Sequence, residues 1–205
     1  MLAAQKLVKK ALSASLLSLL LLWFGGCASM AGSPETYTLE ARFIPQKPAK
    51  PTDRILLIAL PTAEPGFDTR RMAYTETLFA LEYYTKSEWA DRPARLLLPL
   101  VVSALESTGA FRAVVAPPTP IPGDVRLDLD IIRFQQDFLE KPSRMHITFR
   151  ANLIDMATLD VLATRLFEAV EIAPSDDAYG GVQAANAALP RLLEALAEFV
   201  LAYAV

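Results

Sequence analysis

Hydrophobic and polar positions alternate strictly through much of the second half of the chain. Val125, Leu127, Leu129 and Ile131 stand against Arg126, Asp128 and Asp130, the two-residue period of a strand with one face in a core and one in solvent. Ile132 and Phe134 then continue on the opposite parity, which predicts a β-bulge near Ile131. Met145, Ile147, Phe149, Ala151 and Leu153 alternate in the same way against Arg144, His146, Thr148, Arg150 and Asn152, and Leu162, Leu166 and Val170 begin a third such segment. Three successive long strands imply an antiparallel meander. Upstream, Ile55 to Leu60 is a continuous apolar run between Asp53 and Pro61, the pattern of a strand buried on both faces in the middle of a sheet. Tyr37 opens an earlier alternating segment, Thr77 to Thr85 reads as a strand or hairpin arm, and Phe111 to Val115 reads as a short strand.

Two stretches switch to the helical period. In the first, Leu96, Leu97, Leu100, Val101, Ala104 and Leu105 form an apolar stripe, with Asp91 as N-cap, Pro93 in the first turn and Gly109 at the end. Pro99 should kink this helix or mark its true start. In the second, Val182, Ala185, Leu189, Leu192, Leu196, Phe199 and Tyr203 recur near every 3.5 residues, capped by Ser175 with Asp176 and Asp177, and Pro190 should introduce a kink. Pro45 to Pro51 and the cluster Pro117, Pro118, Pro120 and Pro122 read as extended connectors. Two main helices packed on one face of a mixed, largely antiparallel sheet make an α+β two-layer sandwich, a single domain over residues 36–205.

The N-terminus follows a different logic. Lys6, Lys9 and Lys10 precede Ala11 to Phe24, which carry no charge. Spanning a bilayer as a helix takes about 20 apolar residues, whereas a signal peptide's apolar region needs about 7 to 15. Residues 1–26 therefore read as a signal peptide. The run closes on Phe24-Gly25-Gly26-Cys27, which resembles a lipobox, with Phe24 where an aliphatic residue is usual. That resemblance implies cleavage after Gly26 and a multiply acylated Cys27, whose several chains, each gaining about 0.8 kcal/mol per buried methylene, would hold the protein permanently at a membrane. The alternatives are an ordinary secretory signal, or an uncleaved anchor with a buried thiol. Residues 27–35 are a lipidated N-terminus and short linker. Ser29 stands where an aspartate retains lipoproteins in the inner membrane of enteric bacteria, so the resemblance favours the outer membrane, facing the periplasm.

Charge and chemistry narrow the function further. The formal net charge is −3, and the mature chain loses three lysines and no acid, which argues against nucleic acid as a partner. Cys27 is the only cysteine, so no internal disulfide can form. A hydrolase needs a nucleophile, a base and an orienting group, yet the single histidine, His146, falls on the polar parity of a strand and reads as solvent-facing. Asp128 and Asp130 project to one side of a strand, but no further acids complete a cation shell, so no metal site is expected. Gly180-Gly181 lacks the surroundings of a phosphate loop. No catalytic residue and no cofactor is expected. The turn-rich stretch from Pro65 to Tyr74, with Tyr83, Tyr84 and Trp89, is the best candidate contact surface, and Phe67, Arg70, Tyr74, Tyr83, Tyr84 and Trp89 are its candidate partner-binding residues. For any one of these residues, a core ring or a solvated arginine is the competing reading.

The lipobox, Tyr37-Thr38-Leu39, the apolar strand ending at Pro61, the segment Pro65-Gly66-Phe67-Asp68-Thr69-Arg70-Arg71-Met72-Ala73-Tyr74 and Trp89-Ala90-Asp91-Arg92-Pro93-Ala94 resemble the ABC-type transport auxiliary lipoproteins. Ser107 to Val114, Phe134 to Phe138 and Gly181 to Asn186 continue the likeness along the mature chain. These proteins are similar to the lipoprotein of the paraquat-inducible system and accompany ABC transporters whose substrate-binding subunit is a mammalian-cell-entry (MCE) domain protein. The resemblance implies a non-catalytic component of intermembrane lipid transport that docks the periplasmic MCE assembly at the outer membrane. It leaves open a homo-oligomeric ring and phospholipid as a ligand. The rival from another class is an envelope lipoprotein that activates a cell-wall synthase or belongs to the Tol apparatus.

Overall fold

The computed structural model describes residues 32–41 and 51–204. The expected signal peptide, Cys27 and most of the Pro45 to Pro51 connector lie outside the described residues, and the compact unit begins at Pro34.

Its centre is β7 (Val125–Asp137), which pairs antiparallel along its length with β8 (Arg144–Asp155), itself paired antiparallel with β9 (Val161–Ile172). The expected meander is therefore present. So is the bulge: the β7–β8 register shifts between Ile131 and Arg133, where the parity of the apolar residues changes. On its other edge β7 meets three short parallel strands in succession. These are β2 (Ile55–Ile58), β3 (Thr62–Ala63) and β4 (Arg71–Thr75). The sheet then divides. One branch adds β6 (Ala113–Val115) to β2, and the other adds β5 (Glu82–Trp89) to β4 and β1 (Glu35–Tyr37) to β5. Among the described residues the result is a mixed sheet of nine strands with its longest ladders antiparallel.

The helices α1 (Pro93–Ser107) and α2 (Ala178–Ala204) touch each other and pack on the sheet. The helix-facing core of the sheet is built from Leu56 and Ile58 of β2, the odd-numbered apolar residues of β7 before the bulge, and Met145 to Leu153 of β8. α2 buries a wider face than a simple stripe, including Ala184, Ala188, Leu193, Ala197 and Val200, because it meets both the sheet and α1. Helix continues through both Pro99 and Pro190.

Several expectations are corrected. Leu57 of β2 is only half-buried, so that strand is not covered on both faces. β1 ends at Tyr37 instead of opening there, because Asn186 of α2 takes over the backbone: its Oδ1 accepts from Glu40 N–H at 2.7 Å and its Nδ2 donates to Thr38 C=O. Thr77 to Leu81 is the tip of the β4–β5 hairpin and the strand starts at Glu82. The N-cap of α1 is Arg92, with no side-chain cap; Pro93 at the first position has no N–H to satisfy. At α2 the capping side chain is Asp177, which accepts from Gly180 N–H at 2.7 Å, while Ser175 only orients it. On β9 the inward residues are Phe167 and Ala169, whereas Leu162, Leu166 and Val170 are exposed.

Phe149 is fully buried and stacks on Phe167, ring centroids 5.2 Å apart, with Phe199 of α2 edge-on to Phe167. Replacing Phe149 by Ala should cost about 3–5 kcal/mol of folding stability. Leu166→Ala on the exposed side of β9 should cost no more than about 0.5 kcal/mol. Urea unfolding of both variants checks the pair.

Candidate functional site

The six expected contact residues all lie on or beside the β4–β5 hairpin, and the fold divides them. Trp89 is 2% exposed and meets Phe134 edge-on at 5.4 Å, and Phe67 is also buried, so both fill the core of this chain and present no surface. The expectation of a contact role for these two is corrected by their burial. Aromatic residues at the ends of strands looked alike in sequence, and only the cross-strand neighbours separate them.

The other four are partly accessible. Arg70 donates from Nη2 to Glu88 Oε1 at 2.6 Å and from Nε to the Trp89 carbonyl, pinning the turn before β4 against β5. Tyr83 donates to the Gly66 carbonyl at 3.0 Å, with the Arg71 guanidinium 3.8 Å over its ring. Tyr74 and Tyr84 lie 4.7 Å apart, and Phe138 meets Tyr74 edge-on. Tyr74 donates to Glu82, and burial followed by that carboxylate raises its pKa. Burial holds the Tyr84 hydroxyl well above the usual phenol range, so it stays a donor.

Tyr84 leads into a polar network that sequence reading missed. Its hydroxyl donates to Oε1 of buried Gln136, whose Nε2 donates to buried Ser143 at 2.9 Å. Ser143 N–H donates to Asp176, and these hydrogen bonds from Ser143 lower the Asp176 pKa. Hairpin, β7–β8 loop and the start of α2 are thus joined. The joint also explains Gly180-Gly181. A Cβ on Gly180 would lie 2.0 Å from the Ser175 carbonyl oxygen, and one on Gly181 would lie 2.3 Å from Gln136 Oε1.

The side of the sheet away from the helices is polar along β7 and β8 and apolar along β9. Asp128 is engaged by Arg126 at 2.6 Å and Asp130 accepts from the Thr62 hydroxyl at 2.8 Å, so the two carboxylates serve different partners. Among the described residues, no group of three His, Cys, Asp or Glu converges as a metal site. His146 corrects its solvent-facing reading: its side chain is 17% exposed, and its Nδ1 is buried without a partner. Nε2 lies 3.9 Å from Asp137 Oδ2. Burial lowers its pKa from the ordinary 6.5, and Arg133 adds to the shift against the pull of Asp137. Beside these polar residues, Leu166 is 54% exposed and Val170 and Ile172 are also exposed, on a strand whose outer edge has no partner among the described residues. The sequence signal for this surface was available: β9 is apolar on both parities, which reads as a strand offering two apolar faces.

Residues 37–197 match the family model of the ABC-type transport auxiliary lipoprotein component. The chain belongs to that family. Within the family's span lie all the strands from β2 to β9, α1 and most of α2. Protein XCC0632 from Xanthomonas campestris is 27% identical, with a TM-score of 0.75 over 82% of this chain and 96% of its own. An uncharacterised protein of solved structure, 13% identical, superposes with a TM-score of 0.63 over 82% of this chain and 99% of its own. The hypothetical protein CT253 from Chlamydia trachomatis, 10% identical, gives 0.52 over 74% and 98%. The last two share the fold. No curated protein sequence matches the chain. The described residues contain no helix long and apolar enough to cross a membrane.

Two outcomes follow for this auxiliary lipoprotein. Gly180→Ala forces a methyl group into a backbone oxygen and should destabilise the fold by at least about 1–3 kcal/mol, measured by urea unfolding. A histidine whose folded pKa is depressed favours the folded state above its unfolded value of 6.5, and that stability is lost as pH falls below it, because the unfolded chain binds the proton more readily. Stability should therefore decline as pH falls from neutral through 6.5, and His146→Gln should flatten the part of the decline due to this residue.

Proposed function

We propose that this lipoprotein is a non-catalytic component of an ABC/MCE-type intermembrane lipid transport system. An acylated Cys27 holds it at the outer membrane, and its domain docks the periplasmic MCE assembly. The observation that carries this reading is the family match across residues 37–197. The surface of β9 supports it. A strand whose edge is unpaired among the described residues, with exposed Leu166, Val170 and Ile172, can take a partner through main-chain hydrogen bonds and apolar contacts together. Phospholipid is the cargo this reading assigns to the system. A homo-oligomeric ring around the MCE assembly is one arrangement in which several copies would present this surface at once.

The test is a mild-detergent pull-down from cells carrying the native protein, Cys27→Ala or Leu166→Arg, with mass spectrometry of proteins and lipids. The native chain should recover an MCE subunit and its ABC partners. Cys27→Ala should lose the acyl mass and the transport phenotype, and Leu166→Arg should keep the acyl mass and lose at least about tenfold of the recovered MCE subunit, the loss that a disrupted apolar anchor of 1.4 kcal/mol produces. Recovery of a cell-wall synthase or Tol components without an MCE subunit would reverse the assignment.

A further inference from the structure

Leu78 and Phe79 form the apex of the β4–β5 hairpin, with Leu81 beside them. Phe79 is fully exposed, Leu78 is 63% exposed, and Leu81 is also exposed. Scattered surface hydrophobics are ordinary, but an adjacent pair at a protruding tip is not. Phe79 also has a φ of 66°, in the left-handed region that a bulky side chain rarely adopts and that glycine would occupy without strain. The domain thus holds a large ring in an unfavourable backbone conformation with none of the described residues packed against it.

The topology places this tip at a particular end of the sheet. β5 runs away from the tip, and β1 lies parallel to it with Glu35 opposite Ser87, so the chain enters β1 from the tip's end. Cys27 precedes Glu35 by eight residues, which cannot extend beyond about 28 Å. From Ser87 back to Glu82 is five residues of strand, at most about 17 Å. Ser87 back to Phe79 is eight residues, so the tip lies no farther from Glu35 than about the extended length of the leash, and a leash directed toward the tip's end brings Cys27 level with it. Leu139, also exposed, belongs to the same end, since Phe138 N–H donates to the Thr75 carbonyl at 2.8 Å.

We infer that the Leu78–Phe79 tip inserts into the lipid surface that anchors the chain, as a second, non-covalent membrane contact; the inference rests on the reading that Cys27 is acylated. A short apolar tip binds bilayers weakly by itself and becomes effective when a covalent lipid confines it to the surface. The aromatic ring suits the boundary between headgroups and acyl chains. Glu76 and Glu82 flank the tip, so it favours a zwitterionic surface and gains nothing from anionic headgroups.

The mature lipoprotein beginning at acylated Cys27 and carrying Phe79→Trp, reconstituted into phosphatidylethanolamine–phosphatidylcholine vesicles with brominated acyl chains, tests this. Native Trp89 is buried and gives a constant background, which the unsubstituted protein measures. The control is Leu159→Trp in the β8–β9 turn, 71% exposed, also at positive φ and at the opposite end of the long strands. Bromination should at least halve the added emission of Phe79→Trp and leave that of Leu159→Trp unchanged. No quenching of Phe79→Trp, or equal quenching of the two, overturns the inference, the former assigning the tip to a protein partner. Acylation is read separately from the mass of each preparation. An unacylated chain removes the anchor and the inference together, whereas an acylated chain with an unquenched tip removes the inference alone.

Discussion

The backbone hydrogen bonds of β7 are the constraint from which the rest of the fold follows. Each of its buried N–H and C=O groups needs a partner on one edge or the other. β8 supplies one edge along the whole strand, while β2, β3 and β4 supply the other in turn. β8 follows β7 across the bulge after Ile131, whereas the other edge passes from β2 and β3 before the bulge to β4 after it. The same bulge exchanges the parity that faces the helices. Before it the inward residues are Val125, Leu127, Leu129 and Ile131, and after it they are Phe134 and Gln136. An amide is thereby placed in the core.

Burying Gln136 requires partners for its carbonyl and its amino group, and the fold gathers them from different segments. Tyr84 comes from the hairpin and Ser143 from the β7–β8 loop, and Ser143 in turn holds Asp176 ahead of α2. A satisfied network of this kind specifies one arrangement of its contributors, because partial pairing leaves a buried polar group exposed to its desolvation cost. The hairpin, which carries the apolar tip, is therefore positioned by the same residues that set the start of α2. Gly180 and Gly181 permit the close approach that completes the joint.

Where one face of a strand meets solvent, the sequence shows it directly: the alternation in β8 and the parity change in β7 are both present in the structure at the expected residues. The two helical stripes are equally visible. Legibility ended where a pattern has two solutions. β9 is apolar on both parities, so only contact with α2 decides that Phe167 and Ala169 go in and Leu166 and Val170 stay out. β4 lay within a stretch that reads as a polar turn, because its strand character comes from pairing with β7 and β5 and not from its own composition. Trp89 and Phe67 have side chains that suit an interface or a core equally, and Asp91 and Ser175 could each cap a helix until the geometry assigns the work to Pro93 and Asp177.

β9 presents a long edge unpaired among the described residues, which in most sheets is a hazard for uncontrolled pairing. Here Arg165, Glu168 and Glu171 interrupt its apolar residues, and Arg191 of α2 pairs with Glu171 beside the strand. Such charges discourage nonspecific stacking while leaving the ladder available to a partner with matching ones. Membrane attachment adds a geometric filter. The long strands run from the end of the sheet that carries the hairpin tip toward the β8–β9 turn. With the tip resting on lipid, β9 would run from Ile172 at the bilayer end of the sheet to the β8–β9 turn at the far end, and a periplasmic assembly would engage its edge from that far end. The tip and the edge would then be complementary, since the first fixes the orientation in which the second is offered.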